Sequence, residues 1–123
     1  MNRAVVEKWV AALRSGEFKQ GTDRLLTDDG SYCCWGVLCE IHRREFGGTW
    51  KGNRDGLDRS YRGEYTAPPK LVQRWLGFAG EPTIRYDDTQ TLITELNDCF
   101  GLSFTDIADL IEQQWLVQEG ANE

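Results

Sequence analysis

No apolar run among the 123 residues approaches the roughly 20 needed to cross a bilayer as a helix, so a membrane span is not expected. The stretch Met1–Lys8 carries Arg3, Glu7 and Lys8, whose charges interrupt its apolar residues, and it does not read as a secretory signal. Internal repeats, low-complexity tracts and linkers are missing as well. The expectation is a single cytoplasmic domain spanning residues 1–123, frayed after about residue 117. Gly47-Gly48-Thr49-Trp50-Lys51 lacks the spacing of a phosphate-cradling loop. Histidine occurs once, as His42, so a Cys–His dyad would have to recruit it. Its helical neighbour Cys39 is poorly oriented for that role, since nucleophile and base usually come from separate elements. Asp28-Asp29 and Asp87-Asp88 read as solvated turn formers rather than as a paired-carboxylate centre. No catalytic residue and no cofactor is therefore expected. The alternative left open is a small nucleotide-processing enzyme acting through Cys99 or His42.

Cysteine is sparse at four, namely Cys33, Cys34, Cys39 and Cys99. A secreted disulfide scaffold is usually denser. Cys33, Cys34, Cys39 and His42 fall within ten residues, yet Cys33 and Cys34 would point about 100° apart on a helix and converge poorly on zinc. Reduced, packed thiols are the expectation, with no metal.

What the chain does have is an ordinary globular composition, 40% hydrophobic and 28% charged, enough for one core. Its charge is uneven. Residues 1–76 hold 13 cations and 10 acids, and residues 77–123 hold one cation, Arg85, and ten acids. Ten of the 14 cations are Arg, which grips phosphate and carboxylate in bidentate fashion and stacks on rings.

Helical periodicity places Val6, Trp9, Val10 and Leu13 on one face, with Asn2 as cap and Ser15-Gly16 as stop. Residues 17–26 read as weak strand or ordered loop, followed by a turn at Asp28-Asp29-Gly30. Ser31 is expected to open a second helix with a stripe of Cys34, Val37, Leu38 and Ile41, ended by Gly47-Gly48. Gly36 inside that helix calls for a close backbone neighbour. Asn53 to Gly56 suggest a turn whose flanks are short strands bearing Trp50 and Tyr61. Pro68-Pro69 should start a helix burying Leu71, Val72, Trp75 and Leu76, with Gly77 as terminator. Thr83–Tyr86 reads as strand and Thr91–Cys99 as helix with Leu92, Ile93 and Leu96 inward. Ser103 and Asp106 form a capping box for a last helix with Phe104, Ile107, Leu110 and Ile111 on its apolar face. The fold class is α+β: one α-rich domain of about five helices with a small antiparallel sheet.

The helices flanking Gly101 resemble a helix-turn-helix, but the outward residues of the second are Thr105, Asp106, Asp109, Glu112 and Gln113. Phosphates would repel them, so sequence-specific DNA binding is not expected. Asp106, Asp109 and Glu112 instead suggest a face that docks on a basic protein surface. Lys51, Arg54, Arg59 and Arg62 alternate with Trp50, Tyr61 and Tyr65, and Lys19 and Arg24 could join them. Cations for phosphate and rings for stacking suit a nucleotide-type ligand; the competing reading is a charged loop whose aromatics anchor in the core. Five Trp exceed the needs of one small core, which points to an interface and a possible homo-oligomer.

Three stretches together carry a resemblance: Leu13-Arg14-Ser15-Gly16-Glu17-Phe18-Lys19-Gln20, Tyr32-Cys33-Cys34-Trp35-Gly36-Val37-Leu38-Cys39, and Leu96-Asn97-Asp98 with Ser103-Phe104 and Ile107-Ala108-Asp109-Leu110-Ile111-Glu112. They resemble a group of small accessory proteins of tailed bacteriophages and prophages. The group has Leu where this chain has Trp35, which suits a more exposed or ligand-facing position there. The resemblance implies an accessory protein made in the bacterial cytoplasm. It implies that the protein counters a host defence system, by binding a defence protein or by sequestering a nucleotide-type signal, and it implies no catalytic residue. A virion or regulatory component without a defence role is the remaining alternative.

Overall fold

A computed structural model describes residues 1–52 and 58–117, with only the backbone of Val117. Their order is α1 (Arg3–Arg14), β1 (Lys19–Gln20), β2 (Leu26–Thr27), β3 (Ser31–Tyr32), α2 (Cys34–Phe46), β4 (Trp50–Gly52), β5 (Asp58–Tyr61), α3 (Lys70–Leu76), β6 (Thr83–Tyr86), β7 (Thr89–Leu92), α4 (Ile93–Asp98) and α5 (Phe104–Ile111), continued by a π-helical turn over Glu112–Val117. The chain is thus a single α+β domain. Among the described residues no helix is long and apolar enough to cross a membrane.

Local signals set the three main helices. The Asn2 side chain accepts a hydrogen bond from the Val5 N–H at 3.4 Å, capping α1. The α1 face Val5, Val6, Trp9, Val10 and Leu13 is buried. At α5 the Ser103 hydroxyl accepts from the Asp106 N–H at 3.1 Å, and the Asp106 carboxylate accepts from the Ser103 N–H at 3.3 Å. This is the expected capping box. In α2, a Cβ on Gly36 would lie 1.8 Å from the Leu25 carbonyl oxygen. Only glycine lets the β2 approach and the helix meet there.

Helix α2 starts at Cys34, not at Ser31. Asp29 and Thr27 already accept from the Ser31 N–H, each at 3.2 Å. Ser31 therefore closes the 27–30 turn and enters β3. Trp35 is also unlike its expected setting. It is fully buried and stacks on Trp9 with ring centroids 4.7 Å apart, so it is a core residue. Its indole N–H finds no partner.

The larger sheet has the order β1-β3-β2-β5-β4. It is mixed rather than purely antiparallel, because β1 runs parallel to β3. Trp50 on β4 sits opposite Tyr61 on β5, as expected; the turn assigned to Asn53–Gly56 lies outside the described residues. After β5 the chain reverses through Arg62-Gly63, both with positive φ, while Tyr61 and Glu64 exchange two backbone hydrogen bonds. That is the two-residue hairpin geometry.

A second hairpin pairs β6 with β7 across Asp87-Asp88. Here the helix assigned to Thr91–Cys99 loses its first two residues to a strand. Pairing alternates the side chains, so Thr91 turns inward and Leu92 outward. In α3, Val72 and Leu76 are buried, but Leu71 is 44% exposed and Trp75 half-buried. A seven-residue helix on the surface buries only a narrow stripe. Gly77 ends it with a left-handed φ, and Leu76 accepts the Asn2 N–H at 2.8 Å.

Candidate functional site

The cations expected to bind a ligand are held by carboxylates from neighbouring strands and turns. Lys19 pairs with Asp29 at 3.2 Å, Arg24 with Asp58 at 2.9 Å and Arg59 with Asp28 at 3.0 Å. Lys51, Arg62 and Tyr65 are exposed, and Arg54 lies outside the described residues. Two of the three stacking candidates face the core. Tyr61 is 0% exposed, which removes it from any ligand-facing role. Trp50 is half-buried and its indole N–H donates to Glu40 at 2.9 Å. Among the described candidates, Lys19, Arg24, Arg59, Trp50 and Tyr61 are engaged within the fold, while Lys51, Arg62 and Tyr65 are open to solvent.

The acidic face of α5 is likewise occupied in part. Asp106 caps the helix. Asp109 and Glu112 both accept from Arg14 of α1, at 2.6 and 3.1 Å. Opposite charges at this distance favour the ionised forms, so Arg14 is raised and Glu112 lowered from their ordinary values.

Two clusters escaped sequence reasoning. The first centres on Glu40, a carboxylate only 5% exposed. It accepts from Arg43 through two nitrogens at 2.8 Å, from Arg44 at 2.9 Å and from Trp50. Burial alone would raise its pKa, but these donors outweigh it and bring the group down to about 2. The i,i+3 and i,i+4 spacing of Glu40, Arg43 and Arg44 was the available signal.

The second cluster surrounds His42. Its Nδ1 lies 2.6 Å from the Tyr61 hydroxyl. The rings of Phe46 and Trp75 stand 4.8 and 5.1 Å from its own, and 5.6 Å from each other. Burial, then the Arg62 charge, push His42 below its ordinary value, so the neutral imidazole is favoured. The thiols are equally subdued. Burial raises Cys33 to about 12 and lifts Cys34 and Cys39 well above their usual range, leaving little thiolate to act as nucleophile. Cys99 is exposed. Among the described residues no group of three or more His, Cys, Asp or Glu is placed to hold a metal ion.

A polar cavity of about 660 Å³ opens between Arg24, Asp58, Glu81 and Asp98. Its charged groups are engaged from within, while the buried Thr94 hydroxyl on its lining finds no partner. Asp98 accepts the Asp23 N–H, Glu81 accepts the Thr94 N–H, and Arg24 holds Asp58. More of the unsatisfied surface lies at the end of α2 and along α3. Phe46 is 60% exposed beside Trp75, with Leu71 one turn away on the same helical face. A monomeric surface rarely leaves large apolar groups adjacent without a use for them.

Fold and surface together define a small α+β domain whose buried ionisable groups serve packing and pairing. The chain belongs to the family described as a domain of unknown function (DUF8296), whose model matches residues 1–115. No curated protein and no solved structure matches the chain.

Proposed function

We propose that the chain is a non-catalytic accessory binding protein of tailed phages, working in the bacterial cytoplasm, that counters a host defence system by docking on one of its proteins. The observation that carries the docking part is the patch of exposed Phe46 and Leu71 beside half-buried Trp75. The phage and anti-defence parts are supported by the resemblance of residues 13–20, 32–39 and 96–112. Binding rather than turnover is supported by the state of Cys33, Cys34, Cys39 and His42, which are raised, buried or held by a partner, while Cys99 is exposed. Sequestration of a nucleotide-type signal has less support, because Tyr61 is closed off and three of its cations hold carboxylates.

The test is plaque formation by a sensitive phage on bacteria carrying single defence systems, with and without the chain. Restored plaques that vanish with Phe46→Ser support the reading; no restoration on any host overturns it. Native mass spectrometry with mono-, di- and cyclic nucleotides runs beside it. A stoichiometric adduct of unchanged mass would replace protein docking by signal sequestration, and a converted adduct would make the chain an enzyme.

A further inference from the structure

We infer that the face made by α3 and the end of α2 takes an acidic protein segment bearing an apolar anchor, which rests on the protein-docking reading and names the partner's chemistry. The face has an apolar ridge with cations on both flanks. The ridge is Phe46, Trp75 and Leu71, of which Phe46 is 60% and Leu71 44% exposed. On one flank Arg62 lies over the Tyr61 ring at 5.6 Å, next to His42, which Trp75 and Phe46 enclose. On the other flank Lys70 and Arg74 stand one turn apart on α3, beside the Leu71 and Trp75 row. They line a cavity of about 450 Å³ that ends at Phe78 and Ala79.

These three cations differ from most cations near the sheet, of which Lys51 on β4 is likewise without a salt bridge among the described residues. Among the described residues Arg62, Lys70 and Arg74 form no salt bridge, whereas Lys19, Arg24 and Arg59 each do. Glu45, the acid whose charge acts on His42, is held by Lys8. Unpaired cations around an apolar ridge are complementary to carboxylates around an apolar side chain. The ridge supplies the desolvated centre and the cations the rim. A second copy is disfavoured, because a two-fold contact through this face brings its cations towards their own symmetry mates. A nucleic acid is disfavoured by Trp75, whose ring is already met edge-on by His42 and Phe46.

The test uses the isotope-labelled full chain and three probes: a short synthetic peptide with glutamates flanking a leucine pair, its lysine counterpart, and oligothymidylate. The glutamate peptide is expected to shift the Trp75 indole N–H and the amides of Phe46, Leu71 and Arg74 in the NMR spectrum. Phe46→Ser and Arg74→Glu, both at exposed positions, should each weaken it roughly fivefold or more, and Arg74→Glu should also flatten its salt dependence. No shift, equal binding of the lysine peptide, or unchanged affinity in both variants overturns the inference. Binding of oligothymidylate alone would make the face a nucleic-acid surface, and salt-sensitive self-association through it would make the occupant a second copy. Peptide binding that survives a failed plaque test leaves this inference standing and removes only the anti-defence reading; plaque restoration without peptide binding does the reverse.

Discussion

His42 and Tyr61 form one buried unit: Nδ1 and the hydroxyl are 2.6 Å apart, and both residues are all but closed to solvent. The pair ties α2 to β5 and underlies the Phe46 and Trp75 rings. Tyr61→Phe keeps the ring and strands the imidazole nitrogen. A buried polar group left without its partner costs about 1–3 kcal/mol. Urea unfolding of the variant should show that loss, with an unchanged slope; an unchanged midpoint would mean that the hydrogen bond contributes nothing.

Gly36→Ala is expected to be among the most damaging single changes. The new methyl group would overlap the Leu25 carbonyl, and backbone cannot rotate away as a side chain can. Overpacking of this kind costs about 3 kcal/mol. The midpoint of thermal or urea unfolding reads it directly.

Acid should weaken the fold through Glu40. Its folded pKa of about 2 lies below the ordinary 4.5. The stabilisation is complete above about pH 5 and is lost as pH falls towards 2. Glu40→Gln removes the charge that Arg43, Arg44 and Trp50 share, at a cost of about 2 kcal/mol at neutral pH. It should also flatten the acid limb of a stability-against-pH curve, and a limb of unchanged steepness would assign acid sensitivity to other carboxylates.

The β6–β7 turn offers a stabilising change. Asp87 and Asp88 hold φ of 52° and 64°, the left-handed region in which glycine sits without strain. Asp88→Gly sets the relief of left-handed strain, about 1–2 kcal/mol, against glycine's extra freedom in the unfolded chain, about 0.5–1 kcal/mol, for a small net gain seen as a higher melting temperature.

Thiol accessibility should split one against three. In the native protein a thiol reagent should modify Cys99 and spare Cys33, Cys34 and Cys39, which are buried; all four should react after unfolding. More than one fast native thiol would contradict the packing of α2.

The elements legible in the sequence are those whose signals are local. Asn2, the Trp9 stripe and the Ser103–Asp106 box mark helix ends and faces within a few residues, and Gly36 announced a close neighbour without naming Leu25. The strands β1, β2 and β3 are two residues each. They exist only through pairing with distant partners, which no local pattern encodes. Leu92 and Ile93 show the same limit, since the hairpin register, not helical periodicity, decides which of them turns inward. The partners of the candidate ligand residues were hidden for a related reason. Arg24 meets Asp58 across 34 positions of sequence, and a run of cations looks open until the strand carrying its counter-charges is laid beside it. The α3 face was missed because Leu71 and Trp75 fit a core pattern equally well.

The Arg14 fork to Asp109 and Glu112 has a consequence for the chain's synthesis. Within this domain α1 is made well before its partner on α5, which lies 95 residues later. Trp9 meets Trp35 of α2 early, but at translation speeds of about 5–20 residues per second the part of α1 that faces α5 waits on the order of ten seconds for its cover. The nascent domain thus displays part of an amphipathic helix to chaperones, and it closes only when α5 arrives.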